Sequence, residues 1–381
     1  MLAKDASPRS LALALALALA SLALAAGGSG PPAAAATAAA ATAAAATAAG
    51  PTTAWHHGAF AENTAGVVSR SDVVIDQPNF APAQFLPLGN GALGVAAWAG
   101  DGFTAQLNRD DAFPDRKSAG QVNIPGLTAM TMASDFTGRL DLYDGVLAES
   151  GGGMTLKAWV SASQDTLIID ITGANPAAAQ TATVSLWPGR SPTAAAANGI
   201  GTLAETWADN TQTGASGQTF GTLAGITAGG RDVTASVTGP EQVQVSFKPY
   251  ADGSYRIAVA APHWAGGNAA ATAARLLLPD LAASETRLLS GSASWWHRYW
   301  AHSGLIEMSS ADGSAQYLEN IRTFTCTTRR PRCAEPTPAA RPGWPTCSPT
   351  TRTSRTGTRR ATGSGTCAAR SRPTSVPATR P

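Results

Sequence analysis

Short segments in which apolar and polar residues alternate constrain the fold of this chain more than any other feature. In "MTLKAWV", Met154 to Val160, every second residue is apolar, and the residues between are Thr155, Lys157 and Trp159. A period of two residues places these sets on opposite faces of a strand. The same pattern recurs in four further segments: "TLIIDI" (166–171), "TATVSLW" (181–187), "VQVSF" (243–247) and "YRIAVAA" (255–261).

Turn residues separate these segments, and no long helical period interrupts them. Many short strands of this kind predict a mainly β chain with a large antiparallel β-sandwich, and they argue against a parallel α/β sheet. We place the sandwich domain at residues 54–290. Because this span is long for one sandwich, we expect an extended form, a supersandwich.

The pattern changes to a helical one after residue 290. "ASWWHRYWAHSG" (293–304) is rich in aromatic residues, and "SSADGSAQYLENIRTF" (309–324) carries apolar residues at helical spacing after Ser and Asp capping candidates. We predict a short helical linker and the start of a helical domain over residues 291–324.

The N-terminal segment has the features of a signal peptide. Lys4 and Arg9 precede the apolar run "LALALALALASLALAA" (11–26), which ends in small residues and is short for a membrane span. We therefore predict a signal peptide at 1–26, a secreted protein and no stable membrane insertion after the signal is removed; a retained anchor is the alternative. Residues 27–53 repeat Ala and Thr, and we interpret them as a low-complexity spacer.

Four segments occur in an order that resembles a known family. They are "FLPLGNGALGVAAWAG" (85–100), "TAQLNRDDAF" (104–113), "GRLDLYDGVL" (138–147) with "LKAWVSASQDTLIIDITG" (156–173), and "WWHRYWAHSGLIEM" (295–308). Together they resemble the N-terminal region of glycoside hydrolase family 95, the α-L-fucosidase-type enzymes, from about residue 55 to residue 324.

The resemblance implies a secreted carbohydrate-active protein of the α-L-fucosidase or α-galactosidase type. In that family a large β-sandwich is joined by a helical linker to an (α/α) toroid, and the toroid holds the catalytic acid and base. The resemblance therefore implies that this chain lacks catalytic residues and is inactive. The segment "LNRDDAF" departs from the family, which usually has Glu after the Asn, so we carry over no close specificity.

The candidate site residues also have structural explanations. Asn90-Gly91 predicts a hairpin turn; its functional alternative is a loop that borders a substrate pocket. Asp110, Asp111 and Asp115 form a dense carboxylate cluster. Adjacent strand residues point to opposite faces and cannot easily flank one glycosidic bond, so we favour turn and capping roles, or a weak Ca²⁺ site.

The histidines and the late aromatic residues give no metal pattern. His56-His57, His297 and His302 lack a ligand set with metal spacing, and we interpret them as surface or packing residues. The late aromatic residues could stack on sugars, but their spacing favours anchoring of the linker helix to the sandwich; they are Trp295, Trp296, Tyr299 and Trp300. We assign no catalytic residue, no metal ligand and no cofactor.

The segment 325–381 differs in composition from the remainder of the chain. It holds eleven Arg, no Lys and one acid, Glu335, which leaves 16 basic and 24 acidic residues in 1–324. An Arg-rich segment often binds polyanions, but export makes nucleic acid a poor partner. The segment also holds all the cysteines, whose spacing fits no zinc pattern; they are Cys326, Cys333, Cys347 and Cys367.

Two interpretations of this segment stay open. Pro, Thr and Arg with few apolar residues are typical of a disordered basic tail. Alternatively, the codons are read out of frame: shifting the phase lets "ATGSGTC" (361–367) encode Gly-Tyr-Trp-Phe-Trp-Asn-Leu, which looks like the start of the family's toroid. We favour the frameshift, because it also explains the late cysteines, the missing Lys and the surplus of Arg, Thr and Pro.

Two functional hypotheses follow. The first is the N-terminal domain of a secreted family 95-like glycoside hydrolase whose catalytic domain is absent from this chain. The alternative is a non-catalytic secreted β-sandwich that binds glycans through exposed aromatic residues such as Trp98, Trp159 or Trp207. A carbohydrate is the expected partner under both hypotheses, and no oligomeric state is predicted.

Overall fold

The computed structural model describes residues 55–56, 59–60, 63–109, 117–208, 217 and 219–328. The chain divides into two compact units, residues 1–63 and 64–381. In the first unit the described residues form an antiparallel pair, β1 (Trp55–His56) with β2 (Ala59–Phe60). The predicted signal peptide and spacer lie outside the described residues, as does the predicted tail beyond residue 328.

The second unit contains two antiparallel sheets. The larger has ten strands in the described part of the chain. In spatial order its strands are β13 (Thr193–Ala197), β14 (Ile200–Ala208), β15 (Thr219–Gly229), β18 (Tyr255–Ala260), β11 (Thr166–Thr172), β10 (Met154–Val160), β9 (Val146–Gly151), β8 (Thr137–Asp141), β3 (Val73–Ile75) and, off this path, β19 (His263–Trp264).

The smaller sheet has seven strands among the described residues. In spatial order they are β16 (Arg231–Gly239), β17 (Gln242–Lys248), β12 (Gln180–Ser185), β7 (Gly120–Ile124), β6 (Phe103–Arg109), β5 (Leu93–Trp98) and β4 (Leu86–Gly89). The chain is therefore mainly β with a two-sheet antiparallel architecture, as the alternating segments predict. Each of the five quoted segments is a strand, with bounds that differ from the prediction by at most two residues.

The core lies between the sheets and follows the period of two. In β10, Met154, Leu156, Ala158 and Val160 are buried, whereas Thr155 and Lys157 are exposed. Inward-facing Leu, Ile and Val side chains of β5, β6, β7, β11 and β17 complete one hydrophobic cluster. Burial of this apolar area is the main term that stabilises such a sandwich.

Two short helices and two 3₁₀ turns connect the strands of the sandwich. The short helices are α1 (Thr64–Ser69) and α2 (Thr128–Thr131), and the 3₁₀ turns span Pro82–Gln84 and Pro125–Leu127. The Pro residue that begins each 3₁₀ turn has no N–H to leave unpaired. Longer helices follow the last strand.

Helix α3 (Ala269–Ala282) lies within the span predicted as sandwich, and the sequence analysis did not predict it. The Asn268 side chain caps its N-terminus by accepting from the Ala271 N–H at 2.9 Å. Ala273, Leu276 and Leu277 share one helix face and pack on β14 and β18 as a second, smaller hydrophobic cluster. The helix thus covers part of the outer face of the larger sheet.

Helices α4 (Glu285–Ala301) and α5 (Ser314–Thr328) cover most of the span predicted as helical, but α4 begins six residues before the predicted start at 291. Ser284 caps α4 by accepting from the Arg287 N–H at 3.3 Å. Helix α5 extends four residues past the predicted boundary at 324 and includes Cys326; the other cysteines lie outside the described residues. No helix in the described ranges has both the length and the apolar character that crossing a bilayer requires.

Candidate functional site

Asn90 holds a loop at one end of the sandwich. This loop, residues 161–165, connects β10 to β11 and is called the 161–165 loop below. The Asn90 side-chain Nδ2 donates to the Ser161 carbonyl at 2.9 Å, to the Gln164 carbonyl at 3.0 Å and lies 3.2 Å from Asp165 Oδ1. Asn90 is buried, so these bonds replace the water that its amide would otherwise contact.

The same side chain shapes the turn from β4 to β5. Asn90 Oδ1 accepts from the Ala92 N–H at 3.0 Å and from the Leu93 N–H at 2.9 Å. Gly91 has a φ of 86°, a value that favours glycine. The Asn90-Gly91 hairpin prediction is confirmed, and Asn90 connects this turn to the 161–165 loop.

Arg109 supports the loop from the end of β6. It is 5% exposed, and its Nη1 donates to Asp165 Oδ2 at 2.8 Å and to the Ala261 carbonyl at 2.6 Å. A buried guanidinium requires such a carboxylate partner, because an unpaired buried charge is costly. Asp110, Asp111 and Asp115, the predicted carboxylate cluster that follows, lie outside the described residues.

A cavity of about 560 Å³ lies on the other side of the 161–165 loop. Helices α3 and α4 form its remaining walls. The residues that line it are Ser161, Ala162, Ser163, Gln164, Pro279, Asp280, Ala282, Ala283, Arg287, Leu288, Gly291, Ser292, Trp295 and Arg298. Its volume and mixture of polar and apolar walls are typical of small-molecule sites.

Asp280 is the single acid among the described lining residues. It is buried, and its Oδ2 accepts from the Thr166 hydroxyl at 2.7 Å. Burial raises the pKa of the Asp280 carboxyl, while the Thr166 hydrogen bond and the Arg256 charge lower it.

The late aromatic residues pack α4 against the sandwich, and one of them also lines the cavity. Trp296, Tyr299 and Trp300 are buried in the main cluster, and Trp300 Nε1 donates to the Leu142 carbonyl at 2.7 Å. The anchoring prediction is confirmed for these three residues. Trp295 is half-buried and also packs against this cluster, with its ring stacked on that of Tyr299 at 5.6 Å between centroids, so the anchoring prediction holds for it as well. The same residue lines the cavity.

Two of the three tryptophans predicted to be exposed for glycan binding are buried. Trp98 is 7% exposed and Trp159 is fully buried, so neither can stack on a sugar. Trp159 lies on the outer face of its strand, where a period of two predicts exposure, but cross-strand Ile168 is buried there as well. Trp207 is partly buried, and the Lys117 ammonium lies 4.5 Å from the centre of its ring.

Two of the histidines in the described residues, His297 and His302, have protein partners. His297 Nε2 lies 2.7 Å from Asp144 Oδ1, and its ring stacks on Tyr143 with centroids 4.0 Å apart. His302 Nδ1 lies 2.7 Å from the Arg298 carbonyl. Within the described ranges no group of three or more His, Cys, Asp or Glu residues could hold a metal ion. His57 lies outside these ranges, and His56 belongs to β1.

Two other cavities lie away from this loop. One, of about 440 Å³, is bordered by β8, β9 and β10 and includes Glu149 in its wall. Burial raises the pKa of the Glu149 carboxyl to about 7. The other, of about 280 Å³, lies between β13, β14 and α3 and is lined mainly by alanines. None of these cavities is predicted from the sequence, because each depends on how the strands and helices pack together.

Comparison with known proteins yields distant structural neighbours. No protein-family model matches the chain, and no curated protein matches it. A kojibiose phosphorylase from the human microbiome is 10% identical, with 68% of this chain and 42% of that chain covered and a TM-score of 0.40. A bacterial glucoamylase bound to acarbose is 9% identical, with 66% and 40% covered and a TM-score of 0.35.

A third neighbour is a family 92 inverting mannosidase from Bacteroides thetaiotaomicron. It is 9% identical, with 62% of this chain and 35% of that chain covered and a TM-score of 0.33. The structural neighbours are therefore glycoside hydrolases and related enzymes, of which this chain spans about two fifths of the length. Family 95 is not among the three named here.

Proposed function

We propose that this chain carries the N-terminal β-sandwich of a secreted carbohydrate-active protein similar to family 95 glycoside hydrolases. One observation carries the proposal: residues of four separate family-like segments meet at the 161–165 loop and its cavity. Asn90, Arg109 and Trp295 come from three of these segments, and the loop itself comes from the fourth.

We propose further that the chain binds carbohydrate without hydrolysing it. The cavity has hydroxyl and amide groups from Ser161, Ser163 and Gln164, which suit sugar hydroxyls, and a half-buried ring from Trp295. Asp280 is its single described carboxylate, and Thr166 already engages one of that carboxylate's oxygens. The absence of a second acid in the described walls supports binding rather than catalysis.

The test measures hydrolysis and binding on the same purified chain. We expect no release of nitrophenol from nitrophenyl α-L-fucoside or α-galactoside, and we expect retention of the chain on a glycan array. Gly291→Leu, which would project a side chain into the cavity, is expected to remove that retention while the melting temperature is not lowered. Nitrophenol release that an active-site inhibitor abolishes would contradict the non-catalytic proposal.

The alternative function is that of a non-catalytic secreted β-sandwich protein that binds carbohydrate. The cavity favours both alternatives equally, because both require carbohydrate binding at the sandwich. The reading frame of the gene after the codon for residue 324 distinguishes the two functions. We infer a frameshift from the composition of residues 325–381, so resequencing the codons for Asn320 to Thr328 from independent DNA should give a one-base change. Secreted protein containing the peptide "CAEPTPAAR" (333–341) would favour the alternative.

A further inference from the structure

One face of helix α4 forms a wall of the cavity with six lining residues, which include Leu288 and Ser292. We call the other four the α4 stripe: Arg287, Gly291, Trp295 and Arg298. Their spacing of four, four and three residues places them on one side of the helix. At a rise of about 1.5 Å per residue, the two arginines begin about 16 Å apart along the helix axis. They therefore stand at opposite ends of the stripe, with Gly291 and Trp295 between them.

Neither arginine of the α4 stripe has its charge paired with that of a described residue. Arg287 and Arg298 are exposed, and neither guanidinium makes a hydrogen bond or ion pair with a described residue. Other arginines nearby are paired: Arg109 with Asp165, and Arg256 with Asp170. The stripe thus presents two donors that can each form two parallel hydrogen bonds with a carboxylate.

The position of Arg287 is unfavourable for the helix itself. It lies in the first turn of α4, where the helix dipole is positive and a cation is destabilising. Arg298 lies in the last turn, where the dipole favours a cation, so helix stability explains Arg298 but not Arg287. A ligand anion in the cavity would account for both residues.

Gly291 has no packing role among the described residues. A Cβ at this position would have no described atom within 4 Å, and the residue lies in the middle of α4. Glycine within a helix is less favourable than alanine. The missing side chain leaves space over the helix between the two arginines, as a bound ligand would require.

We propose that this cavity binds an acidic oligosaccharide. Arg287 and Arg298 contact carboxylate groups on different sugar units, Gly291 leaves room for the chain between them, and the Trp295 ring contacts a sugar face. Asp280 contributes one negative charge against two positive ones, so the cavity is positive in balance. The carbohydrate nature of the ligand rests on the proposed function, and the acidic character rests on the two arginines.

The probe is a galacturonic acid tetramer, and its fully methyl-esterified form is the matched neutral ligand. Isothermal titration calorimetry on the full chain is expected to show binding of the acid and at least tenfold weaker binding of the ester. Arg287→Gln and Arg298→Gln should each weaken binding of the acid about tenfold, because each removes a charge-assisted contact. Arg275→Gln, an exposed arginine outside the cavity, is the matched control and should leave affinity unchanged.

The variant Gly291→Leu tests whether the tetramer binds in the cavity or on the basic segment 325–381. That segment carries eleven arginines, which attract any polyanion, and Gly291→Leu leaves every charge of the protein in place. We expect this variant to lose binding of the tetramer while its melting temperature is not lowered. Unchanged binding by Gly291→Leu would mean that the tetramer binds elsewhere and would overturn the proposal.

The remaining outcomes distinguish this proposal from the proposed function. Equal binding of acid and ester, both lost in Gly291→Leu, would refute the acidic specificity and keep carbohydrate binding. Failure to bind any acidic or neutral glycan would refute both. Displacement of the tetramer by an equal concentration of sodium sulfate would reduce the site to a general anion site and also overturn the proposal.

Discussion

Replacement of Glu149 by Gln should make the protein less sensitive to rising pH. Glu149 lies in β9, opposite Gly138 on one side and Leu156 on the other. It is 4% exposed, and its carboxyl makes no hydrogen bond or ion pair with a described residue. A buried carboxyl in such a position is favoured in its neutral form, because ionisation would place an unpaired charge between the sheets.

The size of the effect follows from the shift in pKa. Burial raises the pKa of Glu149 from 4.5 to about 7. Since the folded-state pKa lies above the unfolded value, the favourable contribution is present below pH 4.5 and is lost as the pH rises through 7. A shift of this size corresponds to about 3 kcal/mol in the free energy of unfolding, at about 1.4 kcal/mol per pKa unit. Most of the loss falls between pH 5 and pH 8.

The assay is urea denaturation of the parent chain and Glu149→Gln at pH 5 and pH 8. Other buried carboxyls with raised pKa values, such as Asp280, change both proteins alike, so the difference between the two slopes isolates Glu149. We expect Glu149→Gln to recover about 2–3 kcal/mol of the pH-dependent loss. Burying the glutamine amide in the variant has a cost that does not depend on pH. This cost lowers the stability of the variant equally at pH 5 and pH 8, so it does not affect the difference between the two pH values.

Glu241→Gln is the control, because Glu241 is partly exposed and its side chain has no hydrogen bond or ion pair among the described residues. It should leave the dependence on pH unchanged. If Glu149→Gln loses as much stability from pH 5 to pH 8 as the parent does, Glu149 is ionised in the folded protein at pH 8 without penalty. That result would refute the reasoning from burial.

Three further substitutions test other parts of the structure. Asn90→Ala should lower the free energy of unfolding by about 2–4 kcal/mol, measured by urea denaturation, because the Ser161 and Gln164 carbonyls lose their donor; wild-type stability would show that water replaces the amide. Trp300→Phe should cost about 2–4 kcal/mol in the same assay, through the lost bond to Leu142 and the lost volume; a cost below 1 kcal/mol would contradict the anchoring role. Gly291→Ala should raise the free energy of unfolding by about 1 kcal/mol and leave ligand affinity unchanged; a loss of stability would reveal a packing role for the glycine.

The strands were predictable because their information is local. Alternation in Met154 to Val160 is a property of seven consecutive residues, and it identifies β10 with its bounds. The same alternation does not tell which strand faces are covered. Trp159 is fully buried although it lies on the outer face, and the alternation within the strand does not predict this.

Helix α3 and the cavity were not predictable for related reasons. The apolar residues of α3 follow a helical period, but Pro279 and an alanine-rich start weaken the signal between two regions of different character. The cavity joins residues 161–164 to residues 279–298, so it exists only after these segments pack together. Asn90 illustrates the limit: its turn is a local signal, whereas its bonds to the 161–165 loop are not.

The 161–165 loop has two sides with different energetic roles. On one side, the Ser161 carbonyl of the loop accepts from Asn90, and Asp165 forms an ion pair with Arg109. The other side forms a wall of the cavity, and there the Ala162 N–H donates to the Ser292 hydroxyl of α4 at 3.3 Å. Changes at Asn90 or Arg109 therefore alter stability and the shape of the cavity together. Changes at Arg287 or Arg298 alter only charge at its surface, because these side chains support no described part of the fold. Affinity that falls with Arg287→Gln without a loss of stability consequently reports on ligand contact, and affinity that falls with Asn90→Ala reports on the loop.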